Sequence, residues 1–220
     1  MPASMPDQLT AVQIVEGLSP FEITPSSDQV EKIREYTLLL LRWNRSVSLT
    51  SITSPVEVVG RHFGESMYVS KILPVENCRL VDIGTGAGFP GLALKIAKPG
   101  LRVDLVESNK KKCAFLAEVV RTLGLSDVQI QAKRYEEIRP EAVDTDTVTS
   151  RAVGDFKRLL RWSSTALGHR GHLVLWVGAE DSTSIVSNPG WIWQPPYRIP
   201  DSQRRFILIG RPVRADSKSR

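Results

Sequence analysis

The chain has only two cysteines in 220 residues, Cys78 and Cys113, in neither a metal-binding spacing nor a disulfide pattern. That scarcity points to a reducing, cytoplasmic compartment and away from a disulfide scaffold or a metal centre. The start, "MPASMPDQLT", lacks a basic segment followed by an apolar core, and no apolar run approaches the length of a membrane span, so neither secretion nor membrane insertion is expected. Internal repeats and low-complexity tracts are also missing. What is present is ordinary globular composition, 41% hydrophobic and 24% charged, at a length suited to one sizeable core. The formal net charge of +5 is a modest basic excess that favours an anionic partner without naming one.

The first 75 residues read as mostly helical. From Asp28 to about Arg45 the spacing places Val30, Ile33, Thr37, Leu40 and Leu41 on one face, with Asp28 and Glu31 in capping-box relation. A second helix starts at Pro55 with Ser54 as its cap and stops before Pro74. After Asn77, short β runs alternate with helices: "RLVDIG", "LRVDLVES", "VQIQAK", "DTVTS" and "HLVLWVG". This alternation predicts an α/β fold, a doubly wound, mostly parallel seven-stranded sheet of Rossmann-like type, closed by antiparallel strands in "WIWQPPYRIP" and "RRFILIG". The organisation expected is a helical extension over residues 1–77 packed on the core, a sheet domain over 78–210, and a basic tail over 211–220 that frays.

Residues 80–91, "LVDIGTGAGFPG", fall where the first strand hands over to the first helix, the place where such sheets bind ligands. Gly84, Gly86 and Gly88 admit backbone angles closed to other residues, and the amides opening the next helix suit a carboxylate or phosphate. A turn that serves only tight packing is the plain alternative. Gly86, Gly88 and Gly91 also satisfy G-x-G-x-x-G, with Glu107 about 20 residues on, as a dinucleotide site requires. Asp82 opposes that reading, because a fixed negative charge at the strand end repels a pyrophosphate and suits a cationic ligand group. With Asp82 the spacing becomes D-x-G-x-G-x-G, which resembles the first motif of the S-adenosylmethionine-dependent methyltransferases. In either family Glu107 closes the second strand, where it can accept both ribose hydroxyls.

The segments "LLRWNRSVSLTSI" (40–52), "RHFGES" (61–66), "VDIGTGAGFPGL" (81–92) and "VTSRAV" (148–153), in that order, resemble the bacterial small-subunit rRNA guanine-N7 methyltransferase family, also called glucose-inhibited division protein B. The resemblance spans roughly residues 36–178. It implies a class I methyltransferase fold, S-adenosylmethionine as cofactor, 16S rRNA or the small ribosomal subunit as partner, and no metal. It further implies cofactor binding through Gly84 and Phe89, through Tyr135 and Glu136 after the third strand, and through Arg151, with Arg151 also a candidate for positioning the acceptor. Set beside the motif glycine Gly86, Asp82 and Glu107, these complete the candidate site. The sequence departs from the family at Ser48, where Asn is usual, at Glu65, where Asp is usual, and in "LWVG" (175–178), which lacks a lysine before the glycine.

Guanine N7 carries a lone pair and no proton, so its attack on a sulfonium methyl needs alignment and desolvation but no general base. Arg151 cannot occupy N7 in a productive complex; it is left with O6, a phosphate, the cofactor carboxylate, or a plain salt bridge to Asp146 or Asp155. Candidate RNA contacts are Arg42, Arg45, Arg61, His62, Arg158 and Arg161, together with the tail from Arg204, although a solvated surface explains any one of them as well. His62 suits a buried hydrogen-bonded role equally, and Lys110 to Lys112 a solvated helix face. "QPPY" (194–197) resembles the motif of amino methyltransferases but follows the fifth strand rather than the fourth, so it reads as a turn. Trp191 and Trp193 suit base stacking or a half-buried strand. A monomer is expected. A methyltransferase for another substrate, or a nucleotide-binding redox module, stays open at this point.

Overall fold

The computed structural model describes residues 9–151 and 154–214; Ala152 and Val153 of the "VTSRAV" segment and the last six residues of the basic tail lie outside them. Among the described residues no helix is long and apolar enough to cross a membrane.

Helix α1 (Ala11–Leu18) is followed by α2 (Ser27–Asn44). The cap of α2 differs from expectation: Ser26 and Gln29 form the capping box, while Asp28 and Glu31 pair with Lys32 and Arg34 on the surface. The earlier register prevails because the amide of Gln29, held in the box, also donates to the carbonyls of Ile96 (3.0 Å) and Ala97 (3.2 Å). Those carbonyls end another helix and would otherwise lack partners. The buried face of α2 is Val30, Ile33, Tyr36, Thr37, Leu39 and Leu40, with Leu41 only partly covered. The second expected helix exists, capped by Ser54, but it is not regular. It runs as α3 (Pro55–Val58), a π-helical stretch Val59–Gly64, α4 (Glu65–Met67) and α5 (Val69–Ile72).

The sheet has the strands β1 (Arg79–Ile83), β2 (Arg102–Val106), β3 (Val128–Gln131), β4 (Thr145–Ser150), β5 (Leu167–Gly178), β6 (Trp191–Trp193), β7 (Tyr197–Arg198) and β8 (Arg205–Pro212). Seven of them lie in the order β3-β2-β1-β4-β5-β8-β6, and the two-residue β7 pairs with β8 off that path. β3, β2, β1, β4 and β5 are parallel; β8 runs antiparallel to β5, β6 and β7. The chain therefore reverses its direction of travel across the sheet between β1 and β4, which opens a crevice at their carboxyl ends. Helices α6 (Gly91–Ala97), α7 (Lys110–Thr122), α8 (Phe156–Ala166) and α9 (Ala179–Val186) cover the sheet, the last without warning from the sequence. Residues 211–213, expected to belong to a frayed tail, are part of the fold: β8 continues to Pro212, and the Val213 amide donates to the Gly190 carbonyl (2.9 Å).

The N-terminal helices are not a separate body. Ile14, Leu18, Ile33, Tyr36, Leu40 and Phe63 share one buried cluster with Leu80, Val103 and Leu105 of the sheet and with Phe115 and Leu116 of α7. A second cluster fills the other face, where Val81, Ile83, Val148, Leu173 and Leu175 meet Leu159, Leu160 and Trp162. Alternate strand residues thus feed two covered faces, which is why the strands read as nearly continuous apolar runs.

Asp82, expected to face a ligand cation, is instead 0% exposed beneath the glycine loop. Its carboxylate accepts from the Thr85 hydroxyl, the Gly91 amide (2.9 Å) and the Thr149 hydroxyl (2.9 Å), so one side chain ties β1, the loop, α6 and β4 together. The helix-opening amides expected to bind an anion are likewise engaged: Gly91 by Asp82, and Leu92 by the Gly88 carbonyl (2.8 Å). Gly88 has φ of +88°, and a Cβ there would stand 2.1 Å from the Tyr36 hydroxyl. Gly88→Ala is therefore expected to lose about 3 kcal/mol of stability in denaturant unfolding, from strain and overpacking together; a loss near zero would contradict the packing described.

Burial pushes the Asp82 carboxyl up from 3.8 to about 6, against the opposing hydrogen bonds from Thr85, Gly91 and Thr149 and the charge of Arg151. A carboxyl raised in the folded state binds its proton more tightly there, so its favourable contribution is complete below the unfolded value and is lost as pH rises through about 6. The stability of the wild type relative to Asp82→Asn is expected to fall by about 2 kcal/mol between pH 4 and pH 7, measured by urea unfolding. Parallel pH profiles for the two proteins would refute it.

Candidate functional site

The loop is sewn to the second strand along its length. Gly84 and Thr85 donate to the Val106 carbonyl (2.9 and 3.2 Å), and Gly86 donates to Glu107 Oε2 (3.1 Å). The other oxygen of Glu107 accepts the Asn109 amide (2.8 Å), and Asn109 in turn caps α7 through the Lys111 amide (2.9 Å). With φ of +59° and only the Gly84 carbonyl within 4 Å of a would-be Cβ, Gly86 leaves bare backbone at this point. The loop is thereby both rigid and uncovered, as a ligand that packs on backbone requires.

Beyond it lies a cleft of about 180 Å³ lined by Ile83, Gly84, Val106, Glu107, Ser108 and the turn Lys133–Glu136. The short 3₁₀ turn Tyr135–Glu137 places Tyr135 at the cleft with its ring edge-on to Trp162 (5.9 Å between centroids). Its hydroxyl is buried without a hydrogen-bond partner, and burial raises its pKa, with the charges of Glu136 and Asp155 adding to the effect. Glu136 is exposed at the rim and pairs with Arg158 (3.4 Å). Gly84, Glu107, Tyr135 and Glu136 thus meet at one cleft, as the sequence implies.

Two other residues take different places. The Phe89 ring is buried in the core, stacked on Tyr36 (5.2 Å) and on His62 (4.7 Å), so it fastens the loop to the N-terminal helices and does not line the cleft. Arg151 turns to the opposite side. It pairs with neither Asp146, which accepts the Arg79 amide, nor Asp155, which caps α8. Its guanidinium donates to the Arg61 carbonyl (2.9 Å) and to Glu65 Oε2 (3.3 Å), and lies 3.4 Å from His62 Nδ1.

The expected RNA contacts divide. Arg42 pairs with Glu118 (2.8 Å), beside a hydrogen bond from Trp43 Nε1 to the same carboxylate (2.9 Å). Arg45 and Arg161 are exposed, and Arg158 is shared between Glu136 and Asp155. His62 is held inside, with Nε2 at 2.8 Å from the Thr50 hydroxyl. Desolvation first, then the charges of Arg151 and Arg61, lowers its pKa to about 3, so it is neutral near pH 7. The W-N motif explains this arrangement: Asn44 accepts from the Leu49 and Thr50 amides (2.9 and 3.0 Å) and donates to the Thr50 carbonyl (2.8 Å), folding the loop that presents Thr50 to His62. Glu65, noted in the sequence only as a departure from the family, and Arg205, expected only as part of the basic stretch from Arg204, join Arg61 and Arg151 here. Arg205 opens β8 opposite Gly178, at the carboxyl edge of β5.

The decoys resolve as structure. "QPPY" forms the turn between β6 and β7, closed by the Tyr197 hydroxyl on Gln194 (2.9 Å), and Trp193 lies over Gly210 while stacking on Trp191 (5.5 Å). Lys110 and Lys111 are exposed.

This fold and site have counterparts among known proteins. A solved S-adenosylmethionine-dependent methyltransferase from Aquifex aeolicus superposes with a TM-score of 0.60 at 14% identity, covering 73% of this chain and 94% of its own. The ribosomal protein L11 methylase of Lactobacillus delbrueckii gives 0.58 at 13%, covering 70% and 80%. These likenesses establish the class I methyltransferase fold. The family model described as GidB, rRNA small subunit methyltransferase G, matches residues 29–190. The ribosomal RNA small subunit methyltransferase G of Wolinella succinogenes is 39% identical over 186 residues, covering 84% of this chain and 91% of the relative. That of Herminiimonas arsenicoxydans is 32% identical over 213 residues, covering 92% and 96%. With the family's motifs lying on the loop, cleft and helical extension just described, the chain belongs to the rRNA small subunit methyltransferase G family.

Proposed function

We propose that this protein transfers the methyl group of S-adenosylmethionine to N7 of a guanine in 16S ribosomal RNA, acting in the cytoplasm as a monomer. The observation that carries the reading is the cleft at the end of β2, where Glu107 and the orphaned Tyr135 hydroxyl flank uncovered backbone at Gly84 and Gly86. These groups fit the cofactor. Each oxygen of Glu107 accepts one backbone amide, which leaves lone pairs for the two hydroxyls of a ribose. The Tyr135 hydroxyl offers a hydrogen bond to a ligand's edge, and the bare loop admits close approach. A pyrophosphate would have to lie over the same loop with Asp82 beneath it, which disfavours the redox alternative.

When bound, S-adenosylmethionine supplies an electrophilic methyl group on a positively charged sulfur. The protein's own contribution is placement. Asp82 stiffens the loop from below, Glu107 and Tyr135 orient the ligand across it, and Glu136 closes the rim. Arg151, which follows β4 and turns away from the cleft toward Glu65, is suited to positioning the acceptor. Among the groups around the site, His62 is neutral and hydrogen-bonded, and Asp82 is inaccessible to solvent, so neither is placed to move a proton to or from an acceptor. Reaction at N7 requires no such transfer.

Two measurements test this. In single-turnover kinetics on small subunits from a strain lacking this enzyme, the rate is expected to be nearly constant across neutral pH, and the product is expected to be 7-methylguanine in 16S rRNA. A bell-shaped profile, or a methyl group on another atom, would reject the N7 assignment. Glu107→Ala is expected to weaken S-adenosylmethionine binding by about tenfold or more in calorimetry, from the loss of charge-assisted hydrogen bonds. Unchanged affinity would remove Glu107 from the cofactor site.

A further inference from the structure

The region where Arg151 turns away from the cleft has a composition that structural pairing does not account for. Glu65, on α4, is 1% exposed, yet three guanidiniums converge on it. Arg61 Nε and Arg205 Nη2 lie 3.0 and 2.9 Å from Oε1, and Arg151 Nη2 lies 3.3 Å from Oε2. The only other carboxylate beside the trio, apart from the buried Asp82, is Glu57, half-exposed and 3.8 Å from Arg61 among the described residues. Within 3.3 Å, three guanidiniums therefore share the single carboxylate of Glu65. Arg61 Nε, Arg205 Nε and Glu65 Oε1 are buried and make no hydrogen bond of acceptable geometry, so the cluster holds more donor capacity than it uses. Arg61 and Arg205 keep 40% and 34% of their side chains in solvent, against 19% for Arg151, so both can be reached from outside although their Nε atoms are buried.

The position within the sheet discriminates between possible anions. Arg151 follows β4, and Arg205 opens β8 opposite Gly178 at the end of β5. Both lie on the carboxyl edge of the parallel strands, but β8 is three places from β1 in the sheet order, about 14 Å at the usual spacing. The cofactor cleft lies on the other side, over β1, β2 and the turn after β3. Arginine's planar fork matches the oxygens of a phosphodiester, and a carboxylate beneath three such forks holds them in fixed relation. The backbone carbonyl of Glu65 is itself pinned by Trp176 Nε1 (2.9 Å), so the anchor does not drift.

We propose that Arg61, Arg151 and Arg205, held around the buried carboxylate of Glu65, form a seat for one phosphodiester of the acceptor RNA on the β4–β5–β8 side of the site. The seat rests on the reading of the chain as an rRNA methyltransferase and adds to it the place where the RNA backbone docks. Glu65 is a positioning residue: it touches neither cofactor nor RNA but sets the spacing of the arginines that do.

Arg205→Gln and Arg61→Gln test this, with wild type in parallel, using purified unmodified small subunits as substrate and calorimetry for S-adenosylmethionine. Each variant is expected to raise KM for the subunits about tenfold at moderate salt and to lower the slope of log KM against log salt by about one. The Kd for the cofactor is expected to stay within about twofold, because neither residue reaches the cleft. Circular dichroism and thermal melting confirm that the variant compared is folded; should one of the two fail to fold, the other carries the test. Folded variants with unmoved KM, or a cofactor Kd that weakens in step with KM, overturn the seat while leaving the enzymatic reading intact. A wild-type protein that binds the cofactor but modifies no subunit overturns both.

Discussion

A carboxylate sealed from water is an expensive thing for a fold to keep, and Asp82 persists because of what its three hydrogen bonds connect. Gly91 belongs to α6, Thr85 to the loop, Thr149 to β4, and Asp82 itself to β1. The reversal point of the sheet is therefore not merely a gap between strands but a junction closed by one side chain. With the junction closed, the loop cannot rise toward the ligand or sink into the crevice. Glu107 repeats the device one strand over, holding the Gly86 amide with one oxygen and the start of α7 with the other. Two acidic residues that look alike in the sequence thus divide the work: Asp82 is wholly internal, Glu107 at the surface of the cleft.

The N-terminal helices extend this junction outward. Tyr36 of α2 donates its hydroxyl to the Ala87 carbonyl of the loop and stacks on Phe89, which stacks on His62, which is hydrogen-bonded to Thr50, which Asn44 holds in place. The family's separate motifs are successive links of one chain of contacts, running from the end of α2 back to the glycine loop. This accounts for the presence of Trp-Asn and His-Phe motifs far from the loop in sequence: they position it from the side opposite the ligand.

Much of this was legible beforehand, for identifiable reasons. The alternation of strands and helices, the loop at the end of β1 and the place of Glu107 follow from periodicity, spacing and the rule that ligands lie at carboxyl ends of strands, whereas Tyr135 was implied only by the family resemblance. Side-chain direction was not legible. Nothing in "LVDIG" distinguishes an aspartate aimed at the ligand from one aimed at the next strand, and nothing in "GFPG" says that Phe89 points into the core. The capping register of α2 turned on Gln29 reaching residues 96 and 97, a contact between segments nearly 70 positions apart. Glu65 and its three arginines, drawn from a helix, a strand end and a strand start, form a cluster that only the folded chain assembles.

The π-helical stretch Val59–Gly64 gives this last cluster a particular vulnerability. A helix advances about 100° per residue, so the wider turn sets the angular phase at which everything after it leaves the segment. Arg61 and His62 lie inside that turn and Glu65 directly follows it. Shortening the segment by a single residue would preserve its composition and its helical character yet swing Glu65 a quarter-turn away from Arg151 and Arg205. Over this span the gene must conserve a count as well as a set of letters, and a length change there would be more damaging than most exchanges of one side chain for another.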